Sequence, residues 1–433
     1  MPLAGHANVT GSERASDLDA RTGGVDGQPP VSSQELDIAA AIERLAPLIV
    51  APAVTERCLT AAACNRVLAG DVIAGLDVPA FPNAAMDGYA VRAADCTAPA
   101  TLRVVGRALA GHPFGAALRA GEAVRIMTGA SLPAGADAVV MQEDVRTEAD
   151  RVHVSTATSG ANVRPQGEHL RRGEVVLARG RRLRPYDVGL AATAGAAELT
   201  VFRRLRVGVL STGDELHDPP ESRALAGQFD GNRPTMLASL RRAGHDAHDL
   251  GIVADRAEAL EAALSATAGL RLDAVLSSGG VAQGDADIVR RFPALEFVPL
   301  AIRPGRGMAC GRVHLGDHEQ WFFGLPGNSV AAYVVFQLLV APLLAHMSGA
   351  RAEPPLTFTL PLAVTAHTRA GQTDWRRARL VRHPGGLAVE PLAQQSSSML
   401  RTLSEAQVLV AIGPQAALAA GDLVEVIPLA ALD

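Results

Sequence analysis

The sequence predicts a multidomain protein of α/β plus β class. A doubly wound α/β domain is expected between β-rich N-terminal modules and a small C-terminal β-barrel or sandwich. Three observations carry this expectation. From residue 53 to 200 the chain is a succession of short β-like runs broken by turns, such as "TLRVVGRAL", "EAVRIMTG" and "GEVVLARG". From Arg206 strand-like and helix-like runs alternate to about residue 350, the grammar of a parallel sheet. After Pro354-Pro355 the β runs return as "LTFTLPLAV", "WRRARLVRH", "VLVAIG" and "LVEVIPL".

In order along the chain, residues 1–33 are rich in Gly, Ser, Asp and Pro and read as a disordered tail. "SSQELDIAAAIERLAPLI" then predicts an amphipathic helix capped from Ser33, with Glu35 near its start. In the α/β segment, "RVGVLSTGDEL", "HDAHDLGIVAD" and "LDAVLSSGG" read as strands. "NRPTMLASLRRAG" and "RAEALEAALSATAG" read as helices closed by Gly244 and Gly269. The apolar run Val330 to Met347 contains Gln337, Pro342 and His346 and is short for a membrane span, so a buried helix is expected.

Composition narrows the function classes. The chain has 433 residues, enough for several cores, and a net charge of -5, which is no electrostatic footprint for nucleic acid. All forty basic residues are arginine, so any cationic site must be built from guanidinium. The four cysteines, Cys58, Cys64, Cys96 and Cys310, match no zinc spacing and are expected to be reduced, buried thiols of a cytoplasmic protein. No secretory leader is legible in the first thirty residues.

Ligands of open parallel sheets bind at the carboxyl ends of strands. Those ends carry Ser211-Thr212-Gly213-Asp214-Glu215 and Ser277-Ser278-Gly279-Gly280, and "WFFGLPGNSV" sets Pro326, Gly327 and Asn328 before a helix start. Such helix starts offer free N–H groups to phosphate. Neither GxxxxGK[ST] nor GxGxxG is present, which disfavours the two standard nucleotide loops. "AIRPGRGMACG" adds Arg303 and Arg306 beside glycines, which suits an oxyanion. Taken singly, a Gly-rich strand end is usually just a turn, and a solvated loop explains the arginine segment equally well; three such ends in one α/β domain are harder to dismiss. Asp285 and Asp287 directly follow the Ser-Gly cradle, an odd place for negative charge unless a cation intervenes.

In their order, "AMDGYA", "RIMTGA", "NVRPQGE", "STGDEL", "SSGGVAQGDAD", the Pro-Gly segment at 304–305 and "FGLPGN" resemble one family, the molybdopterin molybdenumtransferases (MoeA proteins, with the gephyrin E-domain). The resemblance spans about residues 34 to 430. It implies insertion of molybdate into adenylylated molybdopterin with release of AMP, assisted by Mg²⁺ or another divalent cation, in the cytoplasm. It implies a homodimer, small-molecule substrates, no nucleic acid, no membrane, and a molybdopterin adenylyltransferase as partner. The implied layout is a molybdopterin-binding-like domain III at 205–351, a dimerising domain I at 34–95 and 155–204, an inserted domain II at 96–154 and a β-barrel domain IV at 352–433.

Carried over residue by residue, the motifs mark Asp87, Thr128, Glu215, Asp255 and Asp287 as catalytic. Glu215, Asp255 and Asp287 are the implied metal ligands. Substrate binding falls to Ser277, Gly279, Gly280, Arg303, Arg306, Pro326, Gly327, Asn328, Arg377 and Ser397. The chain departs from the family at His169, where an acid is usual, at Pro299, where a lysine is usual, and at Ser329, where a second proline is usual. These departures favour slightly one alternative, a non-catalytic molybdopterin scaffold or carrier; a second, a molybdopterin adenylyltransferase, is opposed by the additional β-rich half and C-terminal barrel.

Overall fold

The computed structural model describes residues 35–50, 54–220, 227–280, 294–367, 371–413 and 417–429. The tail at 1–33 and the aspartates Asp285 and Asp287 lie outside the described residues.

The centre of the molecule is a six-stranded sheet. Its order is Asp246–Val253, Arg206–Thr212, Ala274–Ser278, His318–Leu325, Gly307–Leu315, Leu295–Pro299. The first four strands run parallel. Gly307–Leu315 is antiparallel to both its neighbours, so that Leu295–Pro299 again runs with the first four, which departs from the all-parallel expectation. The cause is local: Leu315 and His318 pair across a two-residue Gly316-Asp317 turn, and a turn that short joins only antiparallel strands.

Alternation along the strands builds a core on each face. Val207, Val209, Ala274, Leu276, Phe323 and Leu325 face the helices Asn232–Arg242 and Ser329–Met347. Leu210, Val275 and Phe322 face the helix Ala257–Ala266 through Leu260 and Leu264. Helices on both faces make the sheet doubly wound. Each fully buried side chain of this size stabilises by about 1.5–3 kcal/mol relative to exposure.

Ser329–Met347 is long and apolar enough to cross a membrane by length and composition, but it packs inside this core. A helix apolar all round has to be buried. Pro342 inside it has no N–H to give, and the helix widens just before it into a π turn over Phe336–Val340.

The first helix runs Ile38–Leu45, capped by Asp37, whose Oδ1 accepts the Ala40 N–H at 2.8 Å. The expected cap at Ser33 lies outside the described residues, and Glu35 is engaged elsewhere. Ala41, Ile42 and Leu45 join the core of the central sheet rather than the β-rich half.

Among the described residues the β-rich half has its cores in two main places, beside a small cluster of Ala74, Leu170 and Ala194. One gathers Leu68, Val72, Leu177, Leu199 and Val201 around the strands Thr55–Leu59 and Glu198–Phe202 and the helix Pro185–Thr193. The other belongs to a second six-stranded sheet built from Gly88–Val91, Ala100–Ala108, Glu122–Ile126, Ala138–Met141, Val145–Glu148 and Arg151–Val154. This sheet takes in Gly88–Val91, so it begins ahead of residue 96.

At the C-terminus, Gly386–Pro391, Thr373–His383, Val408–Ile412, Leu423–Pro428 and Phe358–Pro361 pair in that order. A Leu362–Val389 bridge returns the last strand to the first, so the sheet closes as a barrel. The short strand Ile302–Arg303 pairs with Thr373 and Asp374, which ties the barrel to the central sheet.

All four cysteines are free; Cys96 and Cys310 are buried as expected, but Cys64 is exposed. Burial pushes the Cys310 thiol up to about 12, so it stays protonated. Truncation of Phe322, fully buried against Leu210 and Val275, is expected to cost about 3–5 kcal/mol. Phe322→Ala should therefore lower the first thermal unfolding transition, while an unchanged transition would place the central sheet outside the stability-limiting core.

Candidate functional site

Because the strands are parallel, Val253, Thr212, Ser278 and Leu325 end side by side at one edge of the sheet. The strand order reverses between Arg206–Thr212 and Ala274–Ser278, so a crevice opens there. Gly279 lies in this crevice with φ +97°, and a Cβ on it would meet the Thr212 carbonyl and hydroxyl oxygens at 2.7 Å. Only glycine lets the two strand ends come this close. Gly279 donates its N–H to Leu325 O at 3.1 Å, and Gly327 approaches the Gly279 Cα. Ser277, Gly279, Pro326, Gly327 and Asn328 are thus brought together. Ser277 itself is buried, with its hydroxyl turned back on Gly279 O.

A residue missed in the sequence joins these loops. Asn232 donates its side-chain amide to Ser278 Oγ and to Gly327 O, both at 2.7 Å. It is held by Asp230, whose Oδ1 accepts the Asn232 N–H at 2.9 Å and the Arg233 N–H at 3.2 Å. The buried Arg233 guanidinium pairs with Asp218, Asp230 and Asp249, and burial works against its charge while these partners hold it. The signal was the Asp-Gly-Asn run ahead of a helix, a capping pattern.

The acidic candidates come from neighbouring strand ends. Asp255 donates its N–H to Asp214 Oδ1 at 3.2 Å, so the loops carrying Glu215 and Asp255 meet. The Glu215 carboxylate folds back over Gly213. Thr212 Oγ1 is buried with no hydrogen-bond partner among the described residues. Among those residues no three His, Cys, Asp or Glu side chains form a metal cage. Asp287 lies outside them.

The cationic candidates behave differently from expectation. Arg377 is buried, 1% exposed, and its Nε and an Nη donate to Thr402 Oγ1 and Ser396 O at 3.0 Å. Burial pushes its pKa down to about 10. It clamps the Ser396–Ser398 loop and does not reach out to an anion. That loop in turn covers the helix start, since Ser397 O accepts the Val330 N–H at 2.9 Å. One of the N–H groups expected to be free for phosphate is therefore spent. Gln395 fixes the same loop by bonding both the N–H and the C=O of Arg377.

Arg306 is largely exposed and pairs with Glu35 at 2.9 Å, and Gln372 Nε2 reaches the same carboxylate at 3.0 Å. The Gln372 and Arg306 hydrogen bonds hold the Glu35 carboxyl below its usual range. Gly305 sets this loop against Ala331 and Val335; a Cβ there would sit 2.5 Å from Val335 Cγ2. Arg303 and Arg306 accordingly flank the same helix whose start carries Asn328. His169 is exposed and donates its N–H to Val78 O.

Asp87 and Thr128 form a pair of their own. Asp87 Oδ1 accepts both the N–H and the hydroxyl of Thr128 at 2.7 Å. These two bonds, the backbone one first, lower the Asp87 pKa. The pair sits on the second six-stranded sheet, whose cores share no residue with those of the central sheet among the described residues. Thr128→Val removes one donor and should raise the Asp87 titration midpoint toward the ordinary value of about 3.9. Carboxyl-carbon NMR reads that midpoint directly, and no movement would mean the hydroxyl does not hold the carboxylate.

Known proteins place this geometry in a family. Residues 36–195 match the family model described as MoeA N-terminal region (domain I and II). Residues 208–346 match the probable molybdopterin binding domain, and 359–429 the MoeA C-terminal region (domain IV). A molybdopterin molybdenumtransferase of Haemophilus influenzae is 35% identical over 87% of this chain and 94% of its own length. One from Synechococcus elongatus is 36% identical over 90% and 99%. The crystal structure of a molybdopterin biosynthesis moeA protein from Pyrococcus horikoshii OT3 superposes with a TM-score of 0.77 at 26% identity, covering 91% of this chain and all of that one. With three regional matches in order and relatives of this identity along nearly the whole length, the chain belongs to the molybdopterin molybdenumtransferase family.

Proposed function

We propose that this enzyme inserts molybdate into adenylylated molybdopterin, forming molybdenum cofactor and releasing AMP. The observation that carries the reading is the crevice at the switch point. There Gly279, Gly327 and the Asn232 amide bring the ends of three parallel strands and a helix start within contact. Backbone N–H groups and small residues in such a crevice suit phosphate and pterin.

Arg303 and Arg306 supply the positive charge for the molybdate oxyanion, since guanidinium matches oxyanions through paired N–H groups. Arg377 acts behind them by holding Ser396 and Ser397 against the helix start. Glu215 and Asp255, with Asp287, would hold a divalent cation such as Mg²⁺. The fit is chemical: hard carboxylate oxygens suit Mg²⁺, which is commonly bound by one or two carboxylates completed by water and substrate phosphates. When bound it offsets phosphate charge and polarises the bond to AMP.

Asp87 and Thr128 need a route to this crevice, because their sheet has its own cores. A homodimer that sets the second six-stranded sheet of one subunit against the central sheet of its partner would bring them there. An upstream molybdopterin adenylyltransferase as partner, and a cytoplasmic site of action, complete the proposal.

Purified protein incubated with adenylylated molybdopterin, molybdate and Mg²⁺ should release AMP. Glu215→Gln and Asn232→Ala should each reduce that release by tenfold or more, corresponding to about 1.4 kcal/mol of lost transition-state stabilisation. Binding of adenylylated molybdopterin with no AMP release would leave a carrier in place of a transferase.

A further inference from the structure

A second polar cleft lies at the opposite edge of the central sheet. Arg206 and Asp246 begin the strands that end at Thr212 and Val253, so this cleft is about 20 Å from the crevice at ~3.3 Å per residue. Its volume is about 340 Å³, and Glu56, Arg203, Arg204, Arg206, His245 and Asp246 line it. It sits where the Thr55–Leu59 and Glu198–Phe202 pair meets the central sheet, and it narrows to a slot bounded by Arg182.

The charges there do not balance. Arg203 pairs with Asp273, Arg66 with Glu56, and Asp246 lies 3.3 Å from His248. Arg182, Arg204 and Arg206 have no carboxylate partner among the described residues. Arg204 donates to Gly244 O and Arg206 to Leu270 O, one bond each. A guanidinium has five donors, so most of theirs remain for a ligand. Arg182 spends its donors on Asn65 O, Ala243 O and Ser348 Oγ, none of them charged.

His245 adds an independent observation. It is 6% exposed and lines both the cleft and the slot, so its ring forms the junction between them. Burial, then Arg182 and Arg204, push the His245 pKa down to about 4, opposed by Asp273.

We propose that this cleft binds a small tetrahedral oxyanion of the sulfate or phosphate class, held by Arg204 and Arg206 with the His245 ring at its floor. The anion takes up the donors that the exposed Arg204 and Arg206 leave unused, on the side of the cleft away from the Glu56 and Asp246 carboxylates, and braces the joint between the first β-rich core and the central sheet. The site is independent of the chemistry proposed at the crevice. A bound anion favours the charged imidazole, so the folded, loaded protein takes up a proton on His245 and binds more tightly as pH falls from 7 toward 5.

The test is titration of the full chain with sodium sulfate, and separately with glycerol phosphate, against sodium chloride at equal ionic strength. The His245 ring Cε1–H resonance is followed, assigned by its loss in His245→Gln. Saturable one-site movement with either anion and none with chloride is expected; the tighter of the two tells a free inorganic anion from a phosphorylated metabolite. Arg204→Gln should weaken binding at least tenfold. Arg206→Gln, at an exposed position that carries no fold risk, should weaken it as well. A linear response to both anions, or curves unchanged in both variants, would overturn the site.

Discussion

Two hydrogen bonds from one side chain hold the crevice in shape. The Asn232 amide spans Ser278 Oγ and Gly327 O, and so fixes a helix start to the ends of two strands. It is able to do so because Asp230 fixes the turn before it and the buried Arg233 holds Asp230 in place against Asp218 and Asp249. A buried guanidinium with three carboxylates is a costly arrangement, and removing any partner leaves charge uncompensated. The network therefore makes the Asn232 position hard to lose without losing the local fold. Gly279 is the complementary condition, since any side chain there would collide with Thr212.

The arginines divide by burial into two kinds of work. Arg303 ends a short edge strand, and Arg306 lies exposed on the turn after it, paired with Glu35. Arg377 is sealed in, and its guanidinium acts as a bracket for a loop. The same chemical group is therefore left at the surface or sealed in as a structural clamp according to where the fold puts it. In a chain without lysine that distinction cannot be made from residue type.

The carboxylates follow a related logic. Asp87 is held by two Thr128 donors on a sheet with cores of its own. Glu215 and Asp255 belong to adjoining strand ends of another sheet, joined through the Asp255 N–H to Asp214. Each of these pairs joins residues 41 positions apart, and topology alone decides which of them meet. This is why a catalytic set read from motifs resolves in space into two groups.

Strand and helix alternation after Arg206, the β runs on either side and the small residues at strand ends were legible in the sequence, because they rest on local periodicity and turn chemistry. The participation of the first helix in the central core was not, since it depends on packing between distant segments; the cap at Asp37 and the antiparallel edge rest on local bonds and a two-residue turn whose signals were overlooked. The motifs put glycines and hydroxyls at these strand ends. They gave no sign that Arg377 turns inward, that Ser397 occupies a helix N–H, or that Asn232 joins the loops. Sequence alone determined which residue types meet at the carboxyl edge of the parallel strands. Tertiary structure decided which of their polar groups remain free, because a donor or acceptor is committed only when a partner from elsewhere in the chain arrives within hydrogen-bonding distance.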